Sequence, residues 1–198
     1  MKLKSIVMAT MFASAGFMTV AAHAATPIVR EMPMELVSDD EGGFNAHFGN
    51  NFGSSTAGKS FADKYFFSIN SNFDTSASLT SSYLNSAKVK DLTITGFSLT
   101  KYDPSSMTNL MTVNGSNETL AGANPTDTWS LKSFGLTNGS YFIKVDGKVL
   151  GNGGGTYGSD LTISAVPEPE TYGMLLAGLG LMGFVARRKA KKTTAANV

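Results

Sequence analysis

The chain has no cysteine among its 198 residues, so neither a disulfide framework nor a thiolate metal or redox site is available. It has only two histidines and one tryptophan, and charged residues make up 16% of the chain. His23 falls in the leader segment described below, which leaves His47 alone in the body. A zinc site or a Ser-His-Asp hydrolase would depend on His47, and no nucleophile elbow accompanies it. The composition therefore disfavours both kinds of active site.

The amino terminus has the pattern of a secretory signal peptide. Lys2 and Lys4 precede an apolar run over 6–22, and Ala22-His23-Ala24 provides the small residues that signal peptidase requires. The sequence predicts a signal peptide over 1–24, cleaved after Ala24, and hence an exported protein.

The carboxyl terminus is a second apolar segment. No charged residue occurs in 171–186, and Arg187, Arg188 and Lys189 open a basic stretch that ends at 192. The pattern predicts a transmembrane helix over 171–186, about 24 Å long, with the basic residues 187–192 on the cytoplasmic side. The last six residues, 193–198, are expected to be a disordered tail.

The body between these ends is acidic. Residues 25–166 contain nine Lys and Arg against thirteen Asp and Glu, a net charge of −4, although the whole chain carries +1. An acidic body argues against nucleic acid as a partner. The thirteen carboxylates are scattered along the body, and their spacing does not identify the close pair that a glycosidase needs.

Short alternating runs dominate the body and indicate β-strands. Alternation from Phe61 to Ile69 places Asp63 and Tyr65 on the same face as these apolar residues. A change of alternation beside Gly96 suggests a β-bulge. The dipeptides Asn138-Gly139 and Asp146-Gly147 indicate turns. We predict an all-β domain over 25–166, an antiparallel β-sandwich or jelly roll of seven or eight strands, with an edge strand and a long loop in 25–58.

Two segments resemble known ligand-binding motifs, but each differs from its motif in a feature that binding requires. Residues 53–60, GSSTAGKS, match a phosphate-binding loop letter for letter, but the residues that follow alternate like a strand, whereas the motif requires a helix. Asn70, Asn72 and Asp74 begin like a calcium-binding EF-hand loop that lacks its later Gly and Glu. No cofactor is predicted, and a structural calcium ion bound by acidic turns is left open.

Surface aromatic residues offer another type of site. Tyr102, Trp129 and Tyr157 could form platforms for sugars or for another protein. Most aromatic residues of β-proteins lie in the core, which is the alternative reading.

The carboxyl-terminal segment resembles the tripartite sorting signal of PEP-CTERM proteins, found in Gram-negative bacteria that make exopolysaccharide. The resemblance rests on Pro167-Glu168-Pro169, the apolar stretch and Arg187-Arg188-Lys189. It implies that an exosortase in the inner membrane recognises the Pro-Glu-Pro region and removes the helix. The body would be anchored transiently in the periplasm and would then reach the cell surface or the exterior.

A second resemblance concerns the body. Phe61, Asp63 and Tyr65 are similar to the signature of a Phe-x-Asp-x-Phe subgroup of these proteins, with Tyr in the last position. The strands around Asp63 and Tyr141 also resemble pre-peptidase C-terminal β-sandwich domains. Neither resemblance implies a catalytic residue here.

Together these patterns predict a non-enzymatic surface or extracellular-matrix protein associated with exopolysaccharide in a biofilm. The alternatives are a carbohydrate- or calcium-binding adhesin module, a hydrolase that uses unrecognised carboxylates, and an ice-binding protein with a flat face of Thr, Ser and Asn.

Overall fold

The computed structural model describes residues 26–83, 90–120, 125–166 and 169–195. Eleven strands, one short 3₁₀ turn and one α-helix lie in these ranges. The predicted signal peptide over 1–24, with Ala22 and Ala24 at its cleavage site, lies outside the described residues, as do Pro167 and Glu168.

The strands form two sheets, named here sheet A and sheet B. In spatial order, sheet A consists of β1 (Ile28–Pro33), β4 (Ser60–Ile69), β10 (Gly139–Val149), β6 (Leu92–Asp103) and β7 (Thr108–Asn114). Sheet B consists of β2 (Val37–Ser38), β3 (Phe44–Phe52), β11 (Gly155–Ala165), β5 (Phe73–Ser82), β9 (Thr128–Leu136) and β8 (Ser116–Asn117).

Alternating apolar residues from both sheets enclose one core, a sandwich arrangement. In β4 the predicted face from Phe61 to Ile69 is buried at every second position. In β5 the same alternation buries Phe73 and Leu79. A strand with one apolar face is stable only when that face packs against another element, so the two sheets close on each other.

The all-β prediction is confirmed, with two differences in detail. The strand β1 pairs with β4 in parallel, from Ile28 opposite Phe61 to Pro33 opposite Phe66, whereas the other paired strands are antiparallel. The region 25–58 holds three strands rather than one edge strand and a long loop. In β3 every second residue from Phe44 to Phe52 faces inwards, and Asn50 is the polar member of that row.

The bulge predicted beside Gly96 is present, but the turn predicted at Asp146-Gly147 is wrong. The β10–β6 register shifts between Asp146 and Gly147, whose partners are Gly96 and Ile94. The strand β10 runs straight through this dipeptide. A Cβ atom on Gly147 would lie 2.4 Å from both the Phe61 ring and the Thr93 carbonyl oxygen. Gly147 therefore provides room for close packing and does not reverse the chain.

The segment that matches a phosphate-binding loop has the wrong local structure for that motif. A 3₁₀ turn over Ser54–Thr56 is followed directly by β4, so no helix begins where the motif needs one. A phosphate-binding loop requires a helix amino terminus to direct its N–H groups at the phosphates. The nucleotide reading is therefore excluded.

The α-helix α1 (Pro169–Ala195) follows the last strand. Its described side chains from Tyr172 to Phe184 are all exposed, so the helix does not contribute to the core. It continues to Ala195, three residues into the tail that was predicted to be disordered, and 196–198 lie outside the described residues.

The predicted transmembrane helix over 171–186 is corrected in one respect. A helix forms there, but within the described ranges no helix is both long enough and apolar enough to cross a membrane. Sixteen uncharged residues reach only about 24 Å, less than the roughly 30 Å hydrocarbon core. Four glycines, at 173, 178, 180 and 183, further lower the hydrophobicity of the segment.

Candidate functional site

The strand β4 carries the predicted signature, and it directs all three signature side chains into the sandwich. Asp63 is fully buried. Its Oδ2 accepts a hydrogen bond from the Tyr157 hydroxyl at 2.6 Å and another from the Asn50 amide at 2.7 Å. Its Oδ1 has no hydrogen-bond partner among the described residues. Asp63 belongs to sheet A and both donors belong to sheet B, so this carboxyl group links the two sheets.

Tyr65 extends the same network towards the surface. Its hydroxyl lies 2.8 Å from that of Tyr157 and 2.9 Å from the carbonyl oxygen of Gly49. The three oxygen–oxygen contacts from Asp63 through Tyr157 and Tyr65 to Gly49 share only two phenolic hydrogens. The phenols alone cannot supply one hydrogen bond to each contact.

Burial keeps both phenols protonated. Desolvation is the main cause that raises the pKa of Tyr65 to about 12, with the nearby Asp63 carboxylate adding to it. Desolvation also raises the pKa of Tyr157, and the adjacent Tyr65 and Asp63 groups act in the same direction. Neither hydroxyl can serve as a base near neutral pH, because a base must be able to lose its proton in that range.

Phe61 provides the apolar part of the same link. Its ring stacks on Tyr157 with centroids 5.7 Å apart and lies 4.4 Å from the ring of Phe52. Arg30 lies over the other side of this group, with its guanidinium carbon 5.6 Å from the Phe52 centroid and Nη1 donating to Asn50 at 2.5 Å. The signature residues therefore hold the sheets together, and this explains the pattern without any catalytic role.

A groove lies above this network, where the edge of sheet A meets the edge of sheet B. This edge groove has a volume of about 580 Å³ and is open to solvent. Tyr65 and Tyr157 line it, together with Met32 and Met34 at the end of β1 and Phe48 on β3. Its rim is polar, with His47 and Glu35 on it. Its size is within the range of small-ligand sites, and its lining mixes polar and apolar side chains.

His47, the lone histidine of the body, pairs with an acidic residue of the neighbouring strand. Its Nδ1 lies 2.9 Å from Oδ1 of Asp160 on the neighbouring strand β11, and both side chains are more than 70% exposed. Ion pairs at this level of exposure contribute little to stability. The pair spans 113 residues of sequence, so no local pattern could have indicated it.

Of the acidic residues considered for calcium, Asp39 lies in the loop after β2, Asp74 within β5 and Asp103 at the end of β6. Asp39 accepts the N–H groups of Glu41 and Gly43, and Asp74 accepts that of Gly135. Asp103 accepts the Ser105 N–H, which is the main cause that lowers its pKa. Across the part of the chain that the structure describes, no group of three or more His, Asp or Glu side chains is placed to hold a metal ion.

The three aromatic residues proposed as platforms differ in position. Tyr157 is buried and Trp129 packs against the core, its Nε1 without a partner among the described residues. Tyr102 lies on the outer face of sheet A. With Phe66 and Phe142 it forms what we call the aromatic strip, in which ring centroids are 5.4–5.7 Å apart. Sequence alternation alone did not reveal this grouping, since the rings come from three separate strands.

The outer face of sheet B has a different chemistry. The outward positions of β5 after Asp74 are all hydroxyl residues, and we call them and two threonines of the neighbouring strand β11 the hydroxyl face: Ser76, Ser78, Thr80, Ser82, Thr156 and Thr162. Asn45 and Asn51 of β3 continue two of its rows. The face is exposed or half-buried throughout and carries few charges.

Known proteins resemble the sandwich only distantly. The pre-peptidase C-terminal domain of collagenase from Bacillus anthracis is 14% identical, with a TM-score of 0.31, over 69% of this chain and 96% of that domain. PliG of Aeromonas hydrophila, a periplasmic inhibitor of g-type lysozyme, is 11% identical, with a TM-score of 0.31, over 71% of this chain and all of that protein. Similarity at this level does not indicate a shared function. No curated protein matches the sequence.

The carboxyl-terminal segment gives a specific match. The PEP-CTERM protein-sorting motif covers residues 165–189, from the last residue of β11 into the basic part of α1. The match does not extend to the Phe61–Tyr65 signature and leaves the subgroup untested. This chain therefore carries a PEP-CTERM protein-sorting motif, which supports an exported protein that is sorted by an exosortase.

Proposed function

We propose that this protein is a non-catalytic component of the cell surface or extracellular matrix, and that its folded body associates with exopolysaccharide in a biofilm. An exosortase and the inner membrane are its partners during sorting. The sorting motif carries this proposal, because it begins at Ala165, where the last core strand ends. Processing within the motif would leave the sandwich complete.

The position of α1 supports a disposable tail. Every described side chain from Tyr172 to Phe184 is exposed, including Leu176 at 69% and Met182 at 67%. A helix that is apolar on all sides and packs on no sheet needs another environment, such as a lipid phase or a membrane enzyme. Its removal would also remove the largest exposed apolar segment of the described chain.

The chemistry of the body supports a non-catalytic role. The only carboxyl group within the polar network, that of Asp63, is buried and already accepts two hydrogen bonds. The two phenols beside it have raised pKa values, and His47 pairs with Asp160. This arrangement also favours membership of the Phe-x-Asp-x-Phe subgroup, because it gives each signature position a structural task.

Mass spectrometry of the mature protein, recovered from cells and from the extracellular matrix, tests the proposal. We expect a form that has lost the signal peptide and the segment from Arg187 to Val198, and that cofractionates with polysaccharide. Replacing Pro167 and Pro169 by Ala should block removal of the tail, whereas Pro104→Ala in a turn of the body should not. Finding Arg187–Val198 still attached to the matrix form would contradict the proposal.

A second candidate function is ice binding, which the hydroxyl face favours. Its hydroxyl groups recur at every second residue of β5 from Ser76, about 7 Å apart along the strand, and the neighbouring strand β11 adds Thr162 opposite Ser76 and Thr156 opposite Ser82. The test is inhibition of ice recrystallisation by the full chain. Ser78→Lys should abolish it, and Ser68→Lys on sheet A should not. Equal inhibition by both variants, or none by the native chain, would exclude this function.

A further inference from the structure

The aromatic strip occupies a surface that the hydrophobic core does not require. Alternation in β4 and β10 sends Phe67 and Tyr141 inwards, so Phe66 and Phe142 point to the solvent side of sheet A. They stand directly opposite each other, and Tyr102 lies diagonally beside Phe142. Phe66 and Tyr102 are half-buried, and Phe142 between them is 6% exposed. Solvent-facing positions of a sheet usually carry polar residues, so three neighbouring rings on this face are unusual.

The strip belongs to a longer row across the whole sheet. Pro33, Phe66, Phe142, Thr100 and Thr112 follow one another in register on five neighbouring strands. Four strand separations of about 4.8 Å give the row a length of roughly 19 Å. Its two ends differ, since one is apolar and the other carries the Thr100 and Thr112 hydroxyls, 3.0 Å apart. An elongated surface of this kind suits a linear polymer better than a compact molecule.

The charges beside the strip cancel in pairs. Lys64 contacts Glu31 at 2.8 Å and places its ammonium group 5.5 Å from the Phe142 centroid, and Lys144 contacts Asp146 at 2.9 Å. On the other flank, the hydroxyls of Ser68 and Ser140 lie 3.1 Å apart. The surface therefore offers rings and hydroxyl groups without a net charge, which attracts neither a polyanion nor a polycation.

We propose that the aromatic strip is the binding surface for an uncharged polysaccharide, with the apolar C–H groups of its pyranose rings against Phe66 and Tyr102, whose ring planes are 79° apart, and its hydroxyls on the serine and threonine flanks. This inference rests on the proposed function and names the surface and the class of sugar polymer. Aromatic rings bind the C–H faces of sugars through apolar contact, and adjacent hydroxyls supply hydrogen bonds.

Affinity electrophoresis of the full chain in a non-ionic detergent tests this proposal. The gels contain hydroxyethyl cellulose as a neutral polymer or alginate as an anionic one. We expect retardation by hydroxyethyl cellulose and none by alginate. The double variant Phe66→Leu/Tyr102→Leu keeps apolar side chains but removes the rings, and it should lose at least tenfold in affinity. The matched control is Phe134→Leu, an aromatic residue of sheet B that is 76% exposed.

Circular dichroism melting shows whether the variants remain folded. If the double variant does not fold, the single variant Tyr102→Leu is used for the binding test instead. Unchanged affinity of a folded variant, equal binding to alginate, or no retardation of the native chain would each overturn the inference. The proposed function is judged separately, by cofractionation with the matrix of the producing cells. A protein that stays with the matrix after the rings are removed retains that function and uses another surface.

Discussion

The hydroxyl of Tyr157 donates a hydrogen bond to Oδ2 of Asp63 at 2.6 Å, across the boundary between the two sheets and over 94 residues of sequence. This contact makes the signature strand part of a cross-sheet link. It predicts that changes at Asp63 affect stability more than any surface function.

Asp63→Ala should destabilise the protein by about 2–4 kcal/mol, because the buried Tyr157 hydroxyl and Asn50 amide lose their acceptor. Asp63→Asn should cost less than about 1 kcal/mol. The Asn amide group would donate an additional hydrogen to the network. In the native protein only two phenolic hydrogens are available for the three oxygen–oxygen contacts between Asp63, Tyr157, Tyr65 and Gly49. Urea unfolding of the full chain measures both effects. Asp160→Ala, which removes an exposed carboxylate, is the control. If Asp63→Asn is as unstable as Asp63→Ala, the network does not lack a hydrogen and this explanation is wrong.

Stability should fall in alkaline solution. The folded state raises the pKa of Tyr65 from 10.0 to about 12 and that of Tyr157 in the same direction. The folded chain therefore holds these protons more tightly than the unfolded chain. Their contribution is complete below pH 10. That of Tyr65 is lost as the pH rises from about 10 to 12, and that of Tyr157 begins to fall in the same range. Denaturant titrations across this range should show the fall, and Tyr65→Phe should reduce it. If the unfolding free energy of the native chain does not change between pH 10 and 12, the two tyrosine hydroxyls are not buried as described.

Gly147→Ala should destabilise the fold by about 1–3 kcal/mol, the usual cost of overpacking. The added Cβ would meet the Phe61 ring and the Thr93 carbonyl oxygen at 2.4 Å. Gly158→Ala is the matched control within a strand, since the nearest atom to its Cβ would lie 3.8 Å away. Thermal unfolding compares the two, and equal melting temperatures would mean that β10 can shift to accept the methyl group.

Removing residues 167–198 should change the unfolding free energy of the body by less than about 0.5 kcal/mol, as for other surface changes. The last described contact of the body with this end is the Val166 N–H bonded to the Asn72 carbonyl oxygen at 3.2 Å, and it is retained. Ending the chain at Thr162 also removes Ile163, which is 1% exposed, and should prevent folding. Circular dichroism and urea unfolding distinguish the two truncations.

The sequence predicted the features that depend on neighbouring residues. Alternation located the inward face of β4, and the change of alternation beside Gly96 located the bulge, because both follow from the two-residue period of a strand. Features that depend on distant residues were missed. The parallel pairing of β1 and the grouping of Phe66, Tyr102 and Phe142 arise only when the strands assemble. At Gly147, contact with Phe61 overrides the local preference of Asp-Gly for a turn.

The position of β11 gives the order of events during secretion a physical basis. It is the last strand in the chain, yet it lies inside sheet B, between β3 and β5. Until it arrives, those two strands have no partner between them and the core stays open. The polypeptide that emerges in order from a translocation channel can therefore complete its fold only when the adjoining sorting segment has reached the channel as well. An interrupted chain would lack both a closed sheet and the sorting motif, and proteases could remove it before it was sorted.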